Sequence, residues 1–231
     1  MRFGWHSPKS HSALTNHTFK QSNEIGSTMP PRSYFNNPRT SDYLAFAEAY
    51  FPDELDEARA FIETTGLPFI ESAKHIASYL SISPSLIRQI LHKKEYHYRQ
   101  FELKKSDGTP RVISTPKTYL KVIQWWICDN ILNRSLQQEA IHGFTRGRSY
   151  ITNAQSHAGC QHMLNMDIEK FFPSISVKMI SGWFREIGYG PNGAKLLAEL
   201  CSLDGSAPTG APTSPAIGNH VLLDCNCSPP L

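Results

Sequence analysis

Apolar side chains recur at helical spacing through residues 41–65: Tyr43, Leu44, Ala47 and Phe51, then Leu55, Ala58, Phe61 and Ile62. This predicts two short amphipathic helices broken at Pro52, whose ring cannot continue the hydrogen-bond ladder. The spacing returns in Ile70, Ala73, Ile76, Ala77 and Leu80, and again in Leu86, Ile87, Ile90 and Leu91. Between these runs Ser83-Pro84 supplies an N-cap and a first-turn proline, so a helix–turn–helix is expected. The period then shortens to two. Tyr98 to Lys104 and residues 111–114 alternate on either side of Ser106-Asp107-Gly108-Thr109, which is turn chemistry, and predict a hairpin reaching Pro116. A long helix follows, with Leu120, Ile123, Ile127 and Ile131 on one face and Trp125 and Trp126 beside them. Beyond it the pattern gives a glycine-punctuated loop (142–148), a short helix (150–157), a strand (162–168), helices at 177–187 and 193–203, and a loop at 204–212. A last helix opens at Thr213-Ser214-Pro215 and runs to about Leu223. Residues 1–40, rich in Ser, Asn, His, Thr and Pro without a sustained period, predict a disordered tail.

The chain has 231 residues, 40% of them hydrophobic, enough for one large domain or two small ones with a core. Three units are expected: the tail (1–40), a helical segment (41–95) and an α+β part (96–231). No apolar run approaches the roughly 20 residues needed to span a bilayer, and the first twenty residues lack a signal-peptide core, so a cytoplasmic location is expected. Five cysteines (128, 160, 201, 225, 227) fall at no metal-ligand spacing; Cys225-x-Cys227 has no matching second pair, and reduced thiols are the expectation. The net charge of +3 hides an uneven distribution. Residues 1–40 are net +4 (five basic, one acidic), residues 41–90 net −5 (three, eight), residues 91–150 net +6 (eleven, five) and residues 151–231 net −2 (four, six). A basic middle beside a carboxylate-bearing stretch suits a polyanionic partner whose chemistry uses a cationic metal. A solvated basic face accounts for the same counts.

Three peptides carry candidate chemistry. Leu164-Asn165-Met166-Asp167-Ile168-Glu169-Lys170-Phe171-Phe172-Pro173-Ser174-Ile175 reads as an apolar strand delivering a carboxylate at its end. Nucleotidyl transfer needs carboxylates on rigid elements to hold two Mg²⁺ about 3.5–4 Å apart, although an Asp capping the following turn explains the same peptide. Pro208-Thr209-Gly210-Ala211-Pro212-Thr213-Ser214-Pro215 permits close backbone approach and aims a helix amide end into its loop, a place for a nucleotide or template phosphate; a plain proline-rich connector is the alternative. The basic hairpin tip around Lys104, Lys105 and Arg111 can fold over a triphosphate, with the Arg111 fork gripping oxygens in two places, although ordinary exposed hairpins carry Lys and Arg too. The earlier helix–turn–helix presents Ser85, Arg88 and Gln89 as a candidate duplex-reading face, or is a packing unit.

The order of these blocks matches one family. Lys105-x-x-Gly108-x-x-Arg111-x-Ile113-x-x-Pro116 with Leu120-Lys121-x-x-Gln124 resembles the first finger motif of retron and group II intron reverse transcriptases. His142-Gly143-Phe144-x-x-Gly147-Arg148-Ser149-x-x-x-Asn153-Ala154-x-x-His157 resembles their second motif, and Asp167-Ile168-x-x-Phe171-Phe172-Pro173-Ser174-Ile175 their third. Gly210-Ala211-Pro212-Thr213-Ser214-Pro215 with Asn219 is similar to the fourth. The resemblance, over roughly residues 70–224, implies an α+β right-hand polymerase with fingers and an incomplete palm, preceded by a helical N-terminal segment. The implied activity is Mg²⁺-dependent, RNA-directed DNA synthesis from deoxynucleoside triphosphates on an RNA template with a DNA or RNA primer. In retrons a structured noncoding RNA is the template and an effector protein can accompany the enzyme in phage defence.

By the same resemblance Asp167 would ligate metal as the catalytic carboxylate, helped by the Ile168 carbonyl. Arg111 and Lys105 would bind the triphosphate. Phe172 would crowd a ribose 2′-hydroxyl, Thr209 and Gly210 would meet the nucleotide, and Arg148, Ser149, Asn153, Pro212 and Ser214 would line the template path. Thr209 stands where the family usually has Gln, and its shorter side chain lacks the amide that reaches the nucleotide. The resemblance also breaks after Asp224: Cys225-Asn226-Cys227-Ser228-Pro229-Pro230-Leu231 does not continue toward the family's aromatic-x-Asp-Asp hairpin. The expectation is therefore a truncated chain, inactive by itself. The alternatives are a non-catalytic RNA-binding module on residues 70–157 and a helix–turn–helix DNA-binding regulator on residues 70–92.

Overall fold

The computed structural model describes residues 38–105, 108–134, 139–145 and 147–224, and at 222–224 the backbone only. The expected tail thus lies outside the described residues apart from its last three, as do Ser106, Asp107, Cys225 and Cys227.

Local chemistry sets the helix ends. Helix α1 (Thr40–Tyr50) and α2 (Leu55–Thr65) are separated by a 3₁₀ turn, Pro52–Glu54, where the sequence placed the break. α2 stops at Gly66, whose φ of 68° is the left-handed conformation a glycine adopts freely. α3 (Ala73–Leu80) starts on a reciprocal cap between Ser72 and His75. α4 (Pro84–His92) begins with Pro84 in its first turn, and the Ser83 hydroxyl accepts from the Ser85 amide at 3.2 Å, as expected for this cap. After a 3₁₀ turn at Lys94–His97 the chain makes its hairpin: β1 (Tyr98–Lys104) pairs antiparallel with β2 (Pro110–Pro116). Opposed residues are Tyr98 and Pro116, Phe101 and Ile113, Leu103 and Arg111. α5 (Thr118–Asn130), α6 (Tyr150–Ser156), α7 (Phe171–Ser174), α8 (Val177–Glu186), α9 (Pro191–Cys201) and α10 (Thr213–Asp224) complete a mainly helical fold with one small sheet.

One of these expectations fails. Residues 162–168 form no strand; they run exposed, with Leu164 81% and Met166 83% accessible. Leu164, Met166 and Ile168 have the period of a half-buried strand, but a strand exists only through ladder partners. Among the described residues the sheet is β1 and β2 alone.

The buried side chains form one cluster from Tyr43 to Val221. Aromatic rings join the N-terminal helices to α5: Phe46 stacks on Tyr79 at 4.4 Å between centroids, and Tyr79 on Trp126 at 5.2 Å. Buried polar groups tie the elements. The Tyr43 hydroxyl donates to Asn130 Oδ1 at 2.7 Å. The Gln124 amide donates to the Tyr98 hydroxyl and to the Leu200 carbonyl, each at 2.9 Å, so one side chain of α5 fixes the hairpin root and α9 together. Arg134 lies over the Tyr43 ring and donates to the carbonyls of Gly66 and Pro38. No helix among the described residues is long and apolar enough to cross a membrane.

Two expected outcomes follow from this packing. At Gly193, in the first turn of α9, an added Cβ would fall on the Ile70 carbonyl oxygen, which is backbone and cannot swing aside. Gly193→Ala should therefore lower stability by about 2 kcal/mol or more, read as a reduced denaturant midpoint. His75 is 1% exposed, and its Nδ1 accepts from the amides of Glu71 (3.0 Å) and Ser72 (3.2 Å), which leaves the ring proton on Nε2, 3.1 Å from Glu54. Burial holds its pKa below the usual 6.5 despite the Glu54 carboxylate, so below 6.5 the unfolded chain binds the extra proton. Stability should be fully present above 6.5 and fall as pH drops toward the folded-state pKa. Chemical unfolding between about pH 5 and 7 should show that slope, and His75→Gln should flatten it.

Candidate nucleic-acid interface

Three close approaches bring separated sequence blocks together. The first joins the hairpin to the glycine–proline loop: the Ser114 amide of β2 donates to the Thr209 carbonyl at 2.7 Å. Gly210 follows at φ 115°, and a Cβ there would stand 2.7 Å from Ile113 Cγ2 and 3.3 Å from the Ser114 carbonyl oxygen. Residues two apart on a strand point to the same face, so Arg111 shares with Ile113 the face of β2 that meets Gly210. Lys105 and Arg111 are both exposed, and the Lys105 amide donates to the Thr109 carbonyl at 2.9 Å, closing the tip.

The second approach seats α10. Its first turn is not open: Thr213 and Ser214 are 0% exposed, and the Ser214 hydroxyl donates to the Pro208 carbonyl at 2.7 Å. Ser214 therefore shapes the loop from inside. The Pro212 carbonyl accepts from the Cys128 thiol at 3.4 Å, and Thr209 and Pro212 are half-buried. Burial pushes the Cys201 thiol, beside Thr213, up to about 12 and the Cys128 thiol above its usual range, so both stay protonated and inert. One turn on, Gly218 leaves room for Phe171: a Cβ would lie 2.8 Å from the Phe171 ring and 3.6 Å from that of Phe172. Phe171 and Phe172 are half-buried with centroids 5.3 Å apart.

The third approach ties in the loop before α6. The Asn219 side chain donates to the Gly143 carbonyl at 2.8 Å. Within that loop the Arg148 guanidinium donates to the carbonyls of Glu139 (3.0 Å) and Ile141 (2.6 Å), while Ser149 caps α6 by accepting from the Thr152 amide at 3.3 Å. Asn153 is exposed on α6. His220 is buried, stacked on Trp183 at 4.3 Å, with Nε2 2.9 Å from the Leu132 carbonyl, which anchors the far side of α10.

Asp167 and Ile168 lie on the exposed stretch leading into α7, and Asp167 has no hydrogen-bond or ion-pair partner among the described residues. No three His, Cys, Asp or Glu side chains cluster in metal-holding geometry among the described residues. Gly218, Asn219 and His220 are the positioning residues to which sequence reasoning gave no structural role; an isolated glycine inside an apolar helix, at Gly218, was the available signal.

Comparison with protein families matches residues 103–225 to "Reverse transcriptase (RNA-dependent DNA polymerase)". Among curated proteins the chain is 32% identical over 195 residues to the retron Mx162 reverse transcriptase of Myxococcus xanthus, covering 74% of this chain and 39% of the relative. It is 29% identical over 162 residues to the retron Ec86 reverse transcriptase of Escherichia coli (69% and 51%), and 31% over 194 residues to the retron Mx65 reverse transcriptase of Myxococcus xanthus (74% and 44%). The chain thus spans two fifths to one half of the length of these relatives.

Gly210→Ala tests the loop–hairpin joint. The left-handed φ and the Ile113 contact both oppose a methyl group. The variant should lose roughly 1–3 kcal/mol of stability and expose the Ser114 amide to faster hydrogen exchange. An unchanged rate at Ser114 would show the joint to be slack.

Proposed function

The chain belongs to the reverse transcriptase family, and from that premise we propose that it forms the nucleic-acid-facing part of a retron-type RNA-directed DNA polymerase. The observation carrying this reading is the convergence of four sequence blocks on β2 and α10, with Arg111 on the hairpin face that meets Gly210. In it, residues 41–95 are a helical N-terminal segment, and residues 96–231 are fingers with part of a palm. The substrates are an RNA template, a DNA or RNA primer and deoxynucleoside triphosphates; a retron noncoding RNA is the natural template, and an effector protein its companion.

Arg111 and Lys105 are the exposed cations for the triphosphate or template backbone. Gly210, pressed against β2 and exposed on its other side, sets the loop surface where a base pair would rest, and Phe172, beside Phe171 against α10, is held where a ring could exclude a 2′-hydroxyl. Thr209 serves through its carbonyl, which fixes the loop to β2. Arg148 and Ser149 act on the template path by shaping the loop that presents Asn153, and Pro212 and Ser214 do so by holding the loop before α10.

The family uses divalent metal ions. Asp167 and the Ile168 carbonyl are the described groups for a magnesium ion, but one carboxylate and one carbonyl do not make a two-metal centre, and no described cluster completes it. No chemical step is therefore assigned to the metal. A non-catalytic RNA-binding role rests on the same surface, and the two readings part on synthesis.

Binding should be measured first, against a structured RNA across a salt series. Replacing Lys105 and Arg111 by Gln should weaken it and reduce the slope of log K against log salt by roughly 1.5, two phosphate contacts' worth. Primer extension on RNA is then compared between the protein and Asp167→Asn. The variant should lose roughly a hundredfold or more of any synthesis while keeping its RNA affinity. Synthesis that survives Asp167→Asn would contradict the assignment of that carboxylate, and a salt slope indifferent to the hairpin cations would contradict the binding face.

A further inference from the structure

Helices α8 and α9 leave an open groove of about 330 Å³ between them, lined by residues of these two helices. Its floor is Val177, Gly182 and Ala198, and its rim carries Lys178, Arg185 and Lys195. Residues 151–231 hold only four Lys or Arg against six acids, yet three of the four stand on this rim. None of the three forms an ion pair with a described carboxylate, and the acid at the edge, Glu199, is already engaged by Lys94. Like charges gathered without partners raise the free energy of the bare groove and favour an anionic occupant.

Gly182 adds an independent observation. It sits inside α8, where glycine costs about 1 kcal/mol relative to alanine. The fold does not require it, because a Cβ there would meet nothing within 4 Å, unlike those at Gly193 or Gly218. Its bare backbone keeps the groove floor low.

The same chain presents a complementary surface. α2 packs inward through Ala58 and Ile62 and leaves Asp56, Glu57, Ala60, Glu63 and Thr64 exposed. Asp56, Ala60 and Glu63 share one face at intervals of four and three residues, the spacing of Lys178, Gly182 and Arg185 on α8. The neighbouring Arg59 is bonded to Glu48 at 3.0 Å, so the stripe stays acidic. We propose that α2 of a second copy of this chain docks in the α8–α9 groove. Ala60 lies over Gly182, the carboxylates of Asp56 and Glu63 meet Lys178 and Arg185, and Lys195 supplies a third cation from α9. Small residues at the crossing let the two helices approach closely, and the matched charges set the register. A nucleic-acid backbone would also meet the three cations, but the groove has an apolar floor and no aromatic side chain to stack a base, which favours a helix.

Sedimentation velocity at low salt tests this. The protein should be a dimer at tens of micromolar, by order of magnitude, and dissociate as salt rises. K178E/R185E/K195E and D56K/E63K should each be folded by circular dichroism and weaken association tenfold or more, roughly, and an equimolar mixture of the two should recover a heterodimer. A Cβ at Gly182 meets nothing within 4 Å and a helix former replaces glycine inside α8, so Gly182→Leu should not lower the melting temperature, and its side chain, occupying the groove, should abolish the dimer. A monomeric parent protein, association unaffected by Gly182→Leu, or failure of the mixture to pair would each overturn the proposal. Loss of RNA affinity in K178E/R185E/K195E with association intact would assign the groove to nucleic acid instead and overturn it equally.

Discussion

Two backbone surfaces without side chains, at Gly210 and Gly218, hold the candidate interface together. At the first, the loop before α10 lies so close to β2 that the neighbouring Thr209 carbonyl accepts the Ser114 amide. At the second, α10 admits the Phe171 ring into the space a methyl group would occupy. Each contact is a close-packed one that any added atom would disturb, and each links stretches far apart in sequence. The position of Arg111 relative to the loop, and of the aromatic pair relative to α10, is inherited from these two approaches.

The remainder of the molecule serves as a platform for that junction. α5 is its spine: Trp126 receives the aromatic stack from the N-terminal helices, Gln124 reaches the hairpin root and α9, and Asn130 answers Tyr43. Buried amides with paired partners do what apolar contacts cannot, which is to specify one relative placement of the elements. Charge is sorted over the same frame. The N-terminal helices are acidic outside, the hairpin is basic, and the residues in direct contact with the junction are mostly neutral. A polyanion approaching this surface would meet its cations at the hairpin, beside Gly210.

Much of this was legible in the sequence wherever local chemistry decided the outcome. The break at Pro52, the cap at Ser83-Pro84, the hairpin and the opening of the last helix at Thr213 all follow from residue type and period. The four ordered blocks were legible too, and they pointed to the family to which the chain belongs. What the sequence misled on was residues 162–168, because period-two apolar spacing reports a tendency to be a strand and says nothing of whether a partner lies alongside. It was also silent on the uses of side chains. Ser214 and Arg148 read as ligand contacts, yet one is buried against the Pro208 carbonyl and the other bonds its own loop. Gly218 and His220 act through neighbours more than 40 residues away, Phe171 and Leu132, and no local pattern encodes such pairs.

The central claim is that nucleic acid lies along the face shared by the β1–β2 hairpin, the loop at residues 208–212 and the stretch entering α7. Photocrosslinking of an RNA–DNA primer–template carrying 4-thiouridine, with peptides identified by mass spectrometry, reads that face directly. The account requires crosslinks at the hairpin around Lys105 and Arg111, and at residues 165–172 or 208–212. Crosslinks confined to α3 and α4, with none at the hairpin, would contradict it.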